Sequence, residues 1–171
     1  MFISKPRAAA ALPATLLGVE RLLHSHGFHS IVRSERVDDR YLWRWDRDRS
    51  WAIDRVEAVY RVQRPHDLSI SVVATLRLGA ERELTLDGVS THFLAGRLLP
   101  YEFPLLQALR LRSPERIAAR RVAETERALP WFEQYATTEK CLARLKSPER
   151  NGVGIGTRPH ADAVARLEAL R

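Results

Sequence analysis

Tyr41-Leu42-Trp43-Arg44-Trp45-Asp46-Arg47-Asp48-Arg49-Ser50-Trp51 is the stretch that decides the fold class. A period of two puts Tyr41, Trp43 and Trp45 on one face and Leu42, Arg44 and Asp46 on the other, as in a half-buried strand. The alternation resumes over residues 52 to 63. There Ala52, Val56, Ala58, Tyr60 and Val62 share a face on which Asp54 is the exception. A helical stripe of Val56, Val59 and Tyr60 competes with the strand reading. Upstream, Phe28 to Val37 opens the sheet and Asp38-Asp39 turns it. Downstream, Pro65-His66-Asp67 reads as a turn and residues 68 to 78 as a strand. Gly79-Ala80-Glu81 then leads into a last strand over 82 to 87, closed by Asp87-Gly88.

Helical periodicity flanks this block. Leu12, Leu16, Val19 and Leu23 predict a helix over residues 8 to 26, with Gly27 as its stop. Pro104 to Leu111 is a short helical candidate. Ser113-Pro114-Glu115 combines a capping side chain, a first-turn proline and an acid near the positive helix end. That helix is expected to run to about Ala128, burying Ile117, Val122 and Leu129, and Pro130 is expected to bend or end it. Thr137-Thr138-Glu139 starts another helix, through Leu145. Asn151 to Pro159 holds three glycines and a proline and reads as a linker to a last, loosely attached amphipathic helix over His160 to Leu170. The expected fold is α+β: a mainly antiparallel sheet of four to five strands packed with helices. Residues 1–146 form a single domain, and 147–171 form a Gly/Pro linker and short C-terminal helix.

The chain has 171 residues, 45% of them hydrophobic, enough for one domain with a real core. Its formal net charge is +7, from 28 basic and 21 acidic side chains. A basic excess points to acidic partners, but the charge is spread along the chain and forms no basic arm. Only Lys5, Lys140 and Lys146 are lysines, and an arginine-rich surface suits protein interfaces as well as phosphates. Cys141 is the only cysteine, which forbids an intrachain disulfide and favours the cytoplasm. The short apolar stretch from Ala8 to Ala14 runs on into Glu20 and Arg21, unlike a signal peptide, and no membrane association is expected.

No catalytic set emerges. His24, His26 and His29 straddle Gly27 and read as caps of a negative helix end rather than as metal ligands. Asp46, Asp48, Asp54 and Glu57 resemble an acidic site, yet Arg44, Arg47, Arg49 and Arg55 interleave with them. Cross-strand ion pairing on a solvated face is the plainer reading. Gly152-Val153-Gly154-Ile155-Gly156-Thr157 lacks the lysine of a phosphate loop. Cys141 sits on an amphipathic helix and reads as packing. The expectation is a non-enzymatic protein without metal or cofactor.

Three of the four tryptophans lie within residues 41–51 among arginines. Trp43, Arg44, Trp45, Arg47, Arg49 and Trp51 are therefore the candidate partner-binding residues, because Trp and Arg dominate interface hot spots. Aromatics and arginines on a sheet also suit single-stranded nucleic acid, the alternative function. A third reading has Trp43 and Trp45 filling the core under the first helix.

The layout of a long helix, Gly27-Phe28, a strand meander and Leu129-Pro130-Trp131-Phe132 resembles a bacterial family labelled only as domain of unknown function 4304. The likeness covers roughly residues 12–146. His29-Ser30-Ile31 stand where such proteins typically carry lysines. The resemblance implies an immunity-like protein that binds a cognate bacterial toxin and neutralises it by occluding its active site. It supplies no catalytic residue.

Overall fold

The computed structural model describes residues 5–61, 64–77, 83–90, 113–147 and 158–170. Five strands form one antiparallel sheet, in the order β1 (His29–Val37), β2 (Arg40–Asp48), β3 (Ala52–Arg61), β4 (Arg64–Arg77) and β5 (Glu83–Ser90). Each strand lies beside its sequence neighbour. With α1 (Lys5–Ser25), α2 (Pro114–Tyr135), α3 (Thr138–Lys146) and α4 (Arg158–Glu168), the sheet makes the α+β fold that the alternation predicts.

The register explains which face is covered. Trp45 stands opposite Val56, and Val56 opposite Val72. One rung away on the same face lie Trp43, Ala58 and Ile70. These positions share one hydrophobic core with Val19 and Leu23 of α1, Leu129 and Phe132 of α2, Cys141 and Leu142 of α3, and Ala163 and Leu167 of α4. The strand reading of residues 52 to 61 thus prevails over the helical stripe, because period two is what brings Val56 and Ala58 onto that covered face. Ala163 and Leu167 have no exposed surface. The last helix is therefore part of the core, contrary to the loose attachment that the glycine-rich stretch before it suggests.

α1 stops as the glycine at 27 requires. Gly27 takes φ +80°, and the N–H groups of Gly27 and Phe28 donate back to the carbonyls of His24 and Leu23. This paired reverse bonding places Phe28 over Leu23, and both are fully buried. At α2, the Ser113 hydroxyl accepts from the Arg116 N–H. Hydrogen bonds from the Glu115 backbone and Ser113 hold the Glu115 carboxyl below its usual pKa.

Three local expectations need correction. Pro130 lies inside α2, which continues to Tyr135. Leu129 and Phe132 are both buried, so tertiary packing holds the turns on either side of the proline. Residues Pro65 to Asp67 belong to β4 rather than to a turn. They sit where the register between β3 and β4 shifts, Arg61 opposing Arg64 and Tyr60 opposing Leu68, and a bulge tolerates the missing proline N–H. Gly88 does not close the last strand but pairs with Val73 inside it. Pro104 to Leu111, the turn at Gly79 and the glycines of 152–156 lie outside the described residues.

α1 packs on α2 at a small-residue crossing. A Cβ added at Gly18 would lie 2.5 Å from Val122 Cγ2. Valine is stiff at χ1 in a helix and cannot swing clear. Gly18→Ala gains about 1 kcal/mol of helix propensity but meets an overpacking cost of about 1–3 kcal/mol. The expected result is a net loss of stability in urea unfolding, restored when Val122→Ala is combined with it. Gly18→Ala alone stabilising the protein would show that the crossing can open freely.

Candidate functional site

One rung of the covered face is polar. Arg47 of β2 stands opposite Asp54 of β3, next to the Trp45–Val56 rung. The Asp54 side chain is completely buried, and its Oδ2 accepts from Arg47 Nη2 at 2.7 Å and Arg49 Nε at 2.7 Å. Arg47 Nε adds a third bond at 3.1 Å. Each arginine then reaches a helix end. Arg47 Nη1 donates to the His26 carbonyl past the end of α1, at 3.1 Å. Arg49 Nη1 donates to the carbonyl of Ala136, the C-cap of α2, at 3.0 Å. Cations at these carbonyls satisfy acceptors that a helix leaves open and complement its negative end.

Apolar rings and a second carboxylate complete the arrangement. The Arg47 guanidinium lies 4.6 Å from the Phe28 ring centre, and that of Arg49 lies 5.7 Å from the Phe132 ring centre. Glu133 accepts from Arg47 Nη2 at 2.9 Å. Burial works against the charge of Arg47. Hydrogen bonds and attraction from Asp54 and Glu133 outweigh it and hold the guanidinium pKa above its usual value. Close by, burial pushes the Cys141 thiol pKa up against the opposing pull of Arg144 and Arg49. Cys141 is 1% exposed, so packing is its structural role here.

The six expected partner-binding residues therefore do not form one surface. Trp45 is buried in the core, contrary to the interface expectation, because its rung faces the helices. Arg47 and Arg49 are turned inward by Asp54. Arg44 lies on the opposite face, where it pairs with Glu57 at 2.9 Å. Trp43 and Trp51 are half-buried and lean on the core. The reading that Trp45 fills the core under the helices is the one the packing supports.

The acidic residues all pair with arginines as expected, but not all on a solvated face: the side chains of Asp46 and Arg55 are only 16% and 13% exposed. Asp46 pairs across the strands with Arg55 at 2.9 Å, Glu57 with Arg44, and Asp48 with Arg77 at 2.9 Å. Asp54 also pairs with arginines, but on the buried face rather than a solvated one. Its Oδ2 faces three donors, an arrangement that anchors cations and leaves that oxygen little freedom to act on a substrate. His24 Nε2 lies 3.3 Å from the Ser30 hydroxyl and 4.0 Å from Glu20, and the described residues contain no group of three metal-ligating side chains.

Beyond the Trp45 rung, the helix-side face ends in an aromatic rim whose two tyrosines were not among the six candidate residues. Tyr41 stands opposite Tyr60 across β2 and β3, and Arg36 opposite Tyr41 across β1 and β2. The Tyr41 and Trp43 ring centres are 6.2 Å apart. Both tyrosines are half-buried, and the alternation over residues 41 to 45 and 52 to 63 is the signal that puts them on that face.

The chain matches no protein-family model, no curated protein and no solved structure at a significant level, so the family likeness rests on its short motifs alone. Among the described residues, no helix is long and apolar enough to cross a membrane.

Proposed function

We propose that this is a non-enzymatic, immunity-like protein that binds a cognate bacterial toxin and neutralises it by covering its active site. The observation that carries the reading is the fate of the acidic residues between Asp46 and Glu57. All four are tied to arginines: Asp46 to Arg55, Asp48 to Arg77, Asp54 to Arg47 and Arg49, and Glu57 to Arg44. The strongest catalytic candidate is thereby spent on holding strands and helix ends together. A rigid sheet with half-exposed Tyr and Trp at its rim is a platform for binding.

The test is affinity capture of the tagged protein from its native lysate after nuclease treatment, followed by an activity assay on the captured partner. A single stoichiometric enzyme whose turnover stops when the chain is added back is the expected result. Capture that disappears with nuclease would transfer the function to nucleic-acid binding. A partner whose activity is indifferent to the chain would remove the inhibitory role.

A further inference from the structure

The Asp54 carboxylate is loaded unevenly. Its Oδ2 accepts from Arg47 Nη2 at 2.7 Å, Arg47 Nε at 3.1 Å and Arg49 Nε at 2.7 Å. Its Oδ1 is buried and has no hydrogen-bond partner among the described residues. An ionised carboxylate spreads its lone pairs over both oxygens, so one oxygen is crowded while its twin goes unserved. Arg49 Nη2 is also buried and also without a partner. Arginine and a carboxylate commonly meet through two parallel bonds. Here that fork is half made: Arg49 Nε reaches Oδ2, and Nη2 reaches neither oxygen. Closing it would disturb another bond. The guanidinium is a rigid plane, and its Nη1 is held at 3.0 Å from the carbonyl of Ala136, the C-cap of α2. One anchor on a strand and one at a helix end together fix where Nη2 stands.

We infer that a single buried water molecule bridges Arg49 Nη2 and Asp54 Oδ1 and is a built part of the clamp between the sheet and α2. The chemistry of the two atoms selects water. The bridging group must accept from a cation and donate to a carboxylate oxygen at once. A halide cannot donate and would face the charge of Asp54. A metal ion cannot accept and would face Arg47 and Arg49. Water does both and is neutral, and two polar partners are the fewest that hold a buried water. The neighbours close the site off from solvent. Phe132, whose ring centre lies 5.7 Å from the Arg49 guanidinium, is fully buried, as is Ala136. Unbridged, both atoms would carry the full desolvation cost of unpaired groups beside a buried charge. The site is independent of the partner that the chain takes.

A crystal structure of the full chain, at a resolution that shows ordered water, tests this directly. A water peak within hydrogen-bond distance of both Arg49 Nη2 and Asp54 Oδ1 is the expected result. A closed fork with Nη2 bonded to Oδ1, an ion in the bridging position, or no density between the two atoms would each overturn the assignment. A second measurement counts the waters that stay bound longer than the protein tumbles, by oxygen-17 relaxation dispersion in solution. Arg49→Lys keeps the positive charge but offers one nitrogen, which cannot serve Oδ2, the Ala136 carbonyl and a water from three separate positions. The variant, with its fold verified by circular dichroism, is expected to lose one long-lived water per chain. An unchanged count would also sink the idea. Should Arg49→Lys fail to fold, the wild-type crystal structure decides alone.

Discussion

Asp54→Ala is expected to lower stability by about 3–5 kcal/mol, the cost of removing one partner from a buried ion pair. A domain of this kind has only about 5–15 kcal/mol in total, so the variant should unfold at markedly lower urea. The size of the effect follows from what the carboxylate holds. Its Oδ2 receives Arg47 and Arg49, whose side chains are each 20% exposed. Without it, both guanidiniums are left poorly hydrated and unpaired, except that Glu133 still faces Arg47. The same two side chains bond the carbonyls of His26 and Ala136, so the ends of α1 and α2 lose their tie to the sheet together. Asp54→Asn keeps the shape and one acceptor but loses the charge, and should fall between Ala and wild type. Salt should change the wild-type value little, since buried pairs are screened less than exposed ones. A loss under about 1 kcal/mol for Asp54→Ala would mean that the network is solvated and worth no more than a surface pair.

Much of this was legible in the sequence, and the parts that were not have physical reasons. Period two over β2 and β3 located the strands, and Asp54 stood out as the polar residue on an otherwise apolar face. Its arginine partners were visible too, because Arg47 and Arg49 lie within seven residues of it. What sequence spacing could not show is that these arginines also reach Glu133 and Ala136, 86 and 87 residues away. Those bonds turn a cross-strand pair into a clamp between layers. Local propensity also misread the two prolines. Pro65 signals a turn and Pro130 a break, but a register shift accommodates the first and the burial of Leu129 and Phe132 overrides the second. The density of Trp and Arg over residues 43 to 51 was ambiguous for a deeper reason. The same residue types enrich binding hot spots and the edges of cores, and only the covered face distinguishes them.

That ambiguity makes Trp45 the decisive position. Trp45→Ala is expected to cost about 3–5 kcal/mol, the range for truncating a buried aromatic side chain. The residue is 2% exposed and pairs with Ser30 and Val56 on the covered face. The indole N–H makes no hydrogen bond within the described residues, so Trp45→Phe loses volume and contacts but no polar partner. Phenylalanine should therefore recover most of the loss, leaving a deficit of about 1–2 kcal/mol on the scale of a partial cavity. Trp45→Ala combined with Arg47→Ala also strips one cation from Asp54, and the two sites neighbour each other on one face, so their effects need not add. An interface residue would behave in the opposite way: the double variant would stay folded and lose its partner. Thermal unfolding monitored by circular dichroism decides between them. A melting temperature close to wild type, with partner binding abolished, would put Trp45 on the surface. Early unfolding, largely rescued by phenylalanine, would place it in the core and take partner recognition away from Trp45.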